Sequence, residues 1–562
     1  MRCIRPTIVG ITLALLVSLV TVQPSAAGAT IDPIAAARNW LVAQQQPDGG
    51  FELAKFPGFE TPDAILAIAT AGQTGSTWSE AEALAAVEAV DVNGGSPGGT
   101  PLDWVDDLAD GRIDLDQVPG GDPPGAGLRA KLALLVALPL GLDPANFDPK
   151  GGGVADLTDG LDSISPGLFN SFLVGRLVEA GLDQNVHQDD LQSICEAQQA
   201  SGGWSFDADP TGGTDPDADT AGFAAMALVA AGMAPGDAVA TTTKTFFETA
   251  QDQVGLPAAA PPVPAGGFFS FGQLDANATT MAVLGYAATG SSPVTLPRDP
   301  APFLESQQVI TVGAPPDDVI GRIRSPNDAF GVNTFATSQT IQGLALLAGS
   351  PTWLPLSGQD DRQCLPAHSF NDVPPAAWND NALRWLAEFD LAAGFPDGSF
   401  GPLGVFNRAQ ASQWFDRFFP EVSGGPHGFT DVAPWFTAGA NFVGDPAWPG
   451  GAIADGFPND EFRGTAPFNR GQAILWMWKA AGRPIVAQPH EFADGAPWFN
   501  QALDWATFHG IVSGFTDNTF RPGAQINRGQ GASWFYNLAA SPGAWGPAIT
   551  RPSTIAHTVL PS

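Results

Sequence analysis

Two hydrophobic rhythms divide the chain. From Ile31 to about Gly349, segments with apolar residues at helical spacing alternate with loops rich in Gly, Pro and Asp. Some, such as AARNWLVAQQQ, are amphipathic and predict helices with one face in solvent. Others, such as PDAILAIATAG and DADTAGFAAMALVAAG, are apolar nearly all round and predict helices buried within a bundle. Starts and stops give roughly a dozen helical segments, which pair into about six hairpins. Residues 351–367 read as a linker of Pro, Ser and Gly, beyond which Trp, Phe, Asn and Asp rise and a different pattern occurs three times.

The first region is punctuated as Gln-Gln, a short gap, Gly-Gly-aromatic, a polar loop, then an Ala/Leu-rich helix ending in Ala-Gly. Gln44, Gln45, Gly49, Gly50 and Phe51 open one clear copy, and Gln198, Gln199, Gly202, Gly203 and Trp204 open another. Gly266, Gly267 and Phe268 begin a weaker one, and Gln307 and Gln308 precede a long loop and a fourth apolar helix. This punctuation resembles the QW-like repeats of the α/α toroid found in squalene and terpenoid cyclases, protein prenyltransferases and cobalamin carriers. The resemblance implies a toroid over residues 30–350, whose inner helices begin near a central cavity. Asp63, Asp219, Asn277 and Asn333 open those helices, with Trp204 close by. They read either as a polar ring around a ligand-sized mouth or as helix N-caps.

The second pattern spans 368–420, 427–485 and 490–540, leaving a tail at 541–562. Its copies run SFNDVPPAAW…GFPDGSFGP…FNRAQASQWF, GFTDVAPWF…GFPNDEFRG…FNRGQAILWMW and EFADGAPWF…GFTDNTFRP…INRGQGASWFY. Each reads as a helix capped by the Asp of Phe-x-Asp, a tight Gly-Phe turn, and a second helix opened by Asn-Arg. The three copies resemble S-layer homology (SLH) repeats, with Asn-Arg-Ala/Gly-Gln in place of Thr-Arg-Ala-Glu. The fold class that follows is mostly α: a toroid, then a three-repeat helical SLH module. The resemblance implies anchoring to secondary cell-wall polysaccharide at Asp372, Asp431 and Asp494 and at Arg408, Arg470 and Arg528. A guanidinium fork matches a carboxylate. Trp378, Trp435 and Trp498 stack on sugar faces or fill the core, and the arginines bind polymer or cap helices and pair with the aspartates.

Composition sharpens the picture. A net charge of −34 over 562 residues opposes binding to nucleic-acid backbones. Arg2 and Arg5, the apolar run Ile8–Val22 and the small residues Ser25–Ala29 read as a signal peptide over 1–29, and that run is too short to span a membrane. The expected product is exported to the cell wall. Cys195 and Cys364 remain, able to bridge only if their Cα atoms approach within about 7 Å; the sequence leaves this open.

Catalytic motifs are poorly formed. Asp215-Pro-Asp217-Ala-Asp219-Thr-Ala misses the spacing of the cyclase Asp-x-Asp-Asp acid. Asp106, Asp107 and Asp110 match Asp-Asp-x-x-Asp without a second metal motif, and His187 with Cys195 lacks a third zinc ligand. Cys195–Gln198 has thioester spacing without the flanking glycines, and Gly94–Gly98 fits a nucleophile-elbow string inside a Gly-rich loop. Asp207, Asp209, Asp215 and Asp217 are spaced to offer alternate carboxylates to Ca²⁺. The expectation is an anchored, non-catalytic toroid with an unknown ligand. A cyclase- or lyase-type enzyme is the alternative, for which an exported site is far from intracellular polyprenyl diphosphates, and a purely structural S-layer component is the second.

Overall fold

A computed structural model describes residues 32–549 and 552, apart from 55–57, 96–97, 109–124, 183–185, 187, 235–236, 260–261, 311–319, 326–333, 355–363, 366–367 and 375–376. The signal peptide, Asp110, His187, Asn333 and most of the C-terminal tail lie outside the described residues. The described chain is mostly helical. Twelve α-helices precede residue 350: α1 (Pro33–Val42), α2 (Thr61–Ala71), α3 (Glu80–Glu88), α4 (Pro101–Asp107), α5 (Ala126–Leu132), α6 (Phe169–Gly181), α7 (Gln188–Glu196), α8 (Ala218–Ala230), α9 (Ala238–Ala250), α10 (Ala276–Ala288), α11 (Ala301–Ser306) and α12 (Phe335–Leu347). A short antiparallel hairpin, β1 (Phe268–Ser270) and β2 (Gln273–Asp275), leads into α10.

The apolar-all-round segments pack against one another in sequence. Helix α2 lies on α12, α12 on α10, α10 on α8, α8 on α6 and α6 on α5, whose π-helical continuation, Ala133–Ala137, returns to α2. The amphipathic α1, α3, α9 and α11 cover this circuit from outside. Helices α8 and α10 meet closely because both carry glycine at the contact: a Cβ on Gly285 would lie 2.6 Å from the Gly222 Cα.

The Gln-Gly punctuation stitches the outer layer. In each copy one glutamine amide donates both to the carbonyl of its own Gly turn and to the start of the next outer helix. Gln45 reaches Gly49 and Gly99 O, Gln198 reaches Gly202 and Val239 O, Gln251 reaches Gly266 and Arg298 O, and Gln308 reaches Gly321 and Pro33 O. The fourth copy thus returns to α1. The sequence reading had missed Gln251, and Gly321 as the counterpart of Gly49.

After residue 365 a separate apolar core forms, rich in Trp and Phe. It is built from α13 (Asp380–Glu388), α14 (Arg408–Phe418), α15 (Thr437–Gly444), α16 (Arg470–Ala480), α17 (Asn500–Phe508) and α18 (Arg528–Ala540). The second helix of each repeat packs on the first helix of the following one, α14 on α15, α16 on α17 and α18 back on α13. At the centre three extended segments bond in a closed triangle: Phe468 N donates to Phe406 O (2.8 Å), Ile526 N to Phe468 O (3.0 Å) and Phe406 N to Ile526 O (3.2 Å). The tail begins inside this core, with Ala544 fully buried and its carbonyl accepting from Trp505 Nε1 at 2.8 Å.

The two cores are joined along α7. Cys195 pairs with Cys364 in a disulfide, Cα atoms 5.9 Å apart, which settles the question the sequence left open. Beside it the Gln192 amide exchanges two hydrogen bonds with the Leu365 backbone (2.8 and 3.2 Å), and Glu196 pairs with Arg384 at 2.9 Å. Closing a loop of 169 residues confers about 5 kcal/mol on a chain-entropy basis. Because each half keeps its own core, replacing both cysteines by Ala is expected to lower amide-exchange protection along α7 and α13 while the innermost helices of both halves stay protected. Unchanged protection at α7 would show that the bridge contributes nothing to the junction.

Candidate functional site

The C-terminal repeats interlock through their arginines. Asn407, Asn469 and Asn527 cap α14, α16 and α18, accepting from Gln410 N (2.9 Å), Gln472 N (2.8 Å) and Gln530 N (2.7 Å). Gln410 and Gln530 reach back to the Asn amide at 3.2 Å, so the Gln standing where Glu is usual still completes a capping box. The following arginine is then the first helical residue and points into the neighbouring repeat. Arg408 donates from Nε to Phe462 O and from Nη2 to Asp455 O; Arg470 to Phe520 O and Ser513 O; Arg528 to Phe400 O and Ala393 O. Each guanidinium lies over Phe and Trp rings, Arg528 being 4.5 Å from the Phe400 centroid. All three are buried, and desolvation pulls each down to about 10, still cationic at neutral pH.

This corrects two expectations. The arginines lie outside ion-pair distance of Asp372, Asp431 and Asp494 and feel them only as longer-range charge, while carbonyl oxygens of the next repeat occupy Nε and Nη2. The aspartates do not cap helices. Each clamps two consecutive amides of the Gly-Phe turn: Asp372 accepts from Phe400 N and Gly401 N, Asp431 from Phe462 N and Arg463 N, and Asp494 from Phe520 N and Arg521 N, at 2.5–2.8 Å. For Asp431 these two bonds help hold the carboxyl below its usual range.

The tryptophans behave differently. Trp378, Trp435 and Trp498 are 63, 58 and 52% exposed, whereas Trp385, Trp414, Trp476, Trp505 and Trp534 are buried. Trp498 leans on the α16 start, where a Cβ on Gly471 would meet its ring at 2.5 Å, and Trp378 lies likewise against Gly529 of α18. An exposed indole therefore flanks the seam of successive repeats.

Among the described residues the helical circuit borders two half-open cavities, of about 760 and 650 Å³, that share Phe59, Asn170, Phe223, Met281, Phe335 and Gln339. Asp219 and Asn277 line the larger, on the first turns of α8 and α10, and Asp63 lines the smaller. Asp63 and the Asp219–Asn277 pair thus line two adjoining cavities, and the helix caps are their neighbours Asp217 and Asp275 rather than Asp219 and Asn277. Asp63 pairs with Lys131 Nζ at 2.7 Å, and that ammonium sits 5.3 and 5.6 Å from the Phe59 and Phe335 rings. Trp204 reaches neither cavity; it is fully buried, its Nε1 donating to Ile194 O at 2.6 Å.

Asp219 is the chemically distinctive group. Desolvation first, then the neighbouring Asp217 and Asp275 carboxylates, push its pKa up to about 8, with Ser270 opposing the shift. Asp217, the α8 N-cap, accepts from Thr220 N at 2.7 Å and is also raised by burial. In the candidate Ca²⁺ loop the Asp207 and Asp209 carboxylates are engaged within the loop itself. Asp209 spends both oxygens on Thr211, Gly213 and Thr214, and Asp207 spends its own on Ser205, Asp209 and Thr214. Among the described residues no group of three or more acidic, His or Cys side chains is placed to hold a metal.

Two outcomes follow. Arg528→Met keeps the stem and removes the donors that Phe400 and Ala393 carbonyls use, which costs about 3–5 kcal/mol for two charge-assisted hydrogen bonds; the C-terminal core is expected to melt at lower urea, and an unshifted midpoint would contradict the interlock. Asp219 is protonated in the folded chain and ionised in the unfolded chain between roughly pH 4 and 8. Its contribution to stability is present below pH 4 and is lost as pH rises towards the folded pKa of about 8. Asp219→Asn should flatten that part of the stability–pH curve, read by denaturant titration from pH 4 to 9; equal slopes would show that the folded pKa is not raised.

Comparison with known families now bears on the C-terminal half. Residues 369–412 and 493–532 match the S-layer homology domain; the second repeat, between them, shares the same interlock. Among curated proteins no match was found. No helix among the described residues is long and apolar enough to cross a membrane. The S-layer homology domain places the chain at the cell surface, in association with the cell wall.

Proposed function

We propose that the C-terminal repeats anchor the chain non-covalently to secondary cell-wall polysaccharide and that the N-terminal helices form an α/α toroid that binds a ligand without catalysis. The observation that carries the anchoring is the exposure of Trp378, Trp435 and Trp498 in a module that buries most of its other tryptophans. Together they leave a flat apolar face available at a matched position in every repeat, and sugar rings present apolar faces of matching shape. The toroid reading draws support from the circuit of helices that returns to α2 and from Gln308, which bonds to Pro33 in the first helix. The ligand reading draws support from the two adjoining cavities lined by Asp63, Asp219 and Asn277 among phenylalanines.

The buried arginines make a poor test, since removing them destabilises the module as well as any contact. Trp378→Ala, Trp435→Ala and Trp498→Ala combined leave the core intact and remove the proposed sugar platforms. Full-length protein is expected to co-sediment with native cell-wall sacculi of the producing bacterium, and the triple variant to lose at least about tenfold in affinity, at about 0.5–1.5 kcal/mol per stacking residue. Undiminished sedimentation of a folded triple variant would remove these tryptophans from the contact.

A further inference from the structure

At one equivalent point the three repeats differ. Gly401, Arg463 and Arg521 each follow the turn phenylalanine, and each gives its amide to the clamping Asp372, Asp431 or Asp494 at 2.7–2.8 Å. All three have left-handed backbone, with φ of +68°, +54° and +56°. Glycine takes that conformation freely, whereas a side chain there costs about 1 kcal/mol. Two repeats bear that cost to hold an arginine, and strain of this kind concentrates where a residue has work to do.

The position explains what that work is. The Arg463 guanidinium lies 4.3 Å from the centroid of Phe457 and that of Arg521 lies 3.9 Å from Phe515. The same rings lie 5.0 Å from the buried Arg408 and Arg470. Each ring thus brings together one guanidinium locked into backbone carbonyls and one that is half exposed, Arg463 at 48% and Arg521 at 50% of the side chain. Glu461 holds Arg463 through Nε at 2.9 Å; Asp517 and Thr519 hold Arg521 through Nη2 and Nε at 2.8 and 3.2 Å. These exposed contacts orient the forks and are weak enough for another oxyanion to displace. In the seam between the third and first repeats Gly401 supplies no second cation, and Phe395 is left 45% exposed beside Arg528 alone.

We propose that Arg463 and Arg521 are the groups that grip oxyanions of the wall polysaccharide, in two of the three seams, while the seam closed by Arg528 engages sugar through aromatic stacking only. The proposal rests on the anchoring reading. Its occupant follows from charge: in a chain of net charge −34, two pairs of guanidiniums gathered on aromatic rings favour an anionic saccharide, with the planar fork matched to a carboxylate or phosphate.

The test uses full-length protein and native sacculi of the producing bacterium, with affinity followed as salt rises. Arg463→Gln with Arg521→Gln is expected to weaken binding at low salt by about tenfold or more and to flatten the salt dependence, with the melting of the module nearly unchanged. Gly401→Arg is expected to strengthen binding and steepen the salt dependence; the added Cβ would meet the Phe395 ring at 2.9 Å, a side chain free to turn aside. Blocking the sacculi's carboxyl groups by carbodiimide amidation separates the two oxyanions: loss of the arginine-dependent part assigns it to carboxylate, persistence to phosphate, and either supports the proposal. Sedimentation of the native chain with the double variant binding equally well, or binding less well with an unaltered salt slope, overturns this proposal and leaves the anchoring reading standing. Failure of the native chain to sediment overturns both.

Discussion

Both halves of the chain are stitched by one kind of interaction: backbone carbonyls at the seams between repeats accept from a side chain that reaches across the seam. A long side chain with several N–H donors does this. In the N-terminal half it is a glutamine amide, neutral and able to serve two carbonyls, as Gln198 serves Gly202 and Val239. In the C-terminal half it is a guanidinium, which serves two carbonyls and lies on aromatic rings as well, as Arg470 does with Phe520, Ser513 and the Trp534 ring. Hydrogen bonds from a charged donor are worth about 1.5–3 kcal/mol each, and leaving the carbonyls bare costs a similar amount. No single repeat can bury its apolar face alone, so stability belongs to the closed set.

That division of labour separates structure from contact. The Asn-Arg arginines are spent on cohesion, and the aspartates on holding a turn in which two later residues are set, a phenylalanine turned inward and Gly401, Arg463 or Arg521 turned outward. What is left at the surface is a small vocabulary, three indoles and two strained arginines. The chain's acidity makes the arginines conspicuous, because most of the surrounding charge is negative.

Repetition was the legible part. The helices, their apolar and amphipathic kinds, and the three C-terminal copies could all be read because each follows from local periodicity and caps. Asp219 and Asn277 fall on the first turns of α8 and α10 because the caps before them, Asp217 and Asp275, fix where those helices begin; neither was singled out as a cap in the sequence. Burial was not legible. Arg408 and Trp378 look equally suited to a surface or a core, and only the neighbouring repeat decides, covering the arginine with Phe462 and leaving the indole in water. Trp204 failed in the opposite sense: adjacency to the loop suggested the chamber, but a strand-like bridge to Asp217 turns the ring inward to Ile194. The retained clue for Arg463 and Arg521 was their alignment with Gly401, a position where a bulky residue in place of glycine signals strain.

The junction shows why the disulfide could not be read either, and what it achieves. Helix α7 has two faces. Leu191 and Ile194 are buried in the N-terminal core, while Asp189, Gln192, Cys195 and Glu196 fall at spacings of three and four and form a stripe towards the C-terminal half. That stripe meets Asn381, Leu365, Cys364 and Arg384 in turn. A polar stripe of this kind looks like solvated surface in the sequence, since its partners lie about 170 residues away. With a covalent bond, a two-way amide pairing and an ion pair all on one helix, α7 is the element through which the two halves are coupled. Helix α7 packs in turn against α8, on which Asp219 stands.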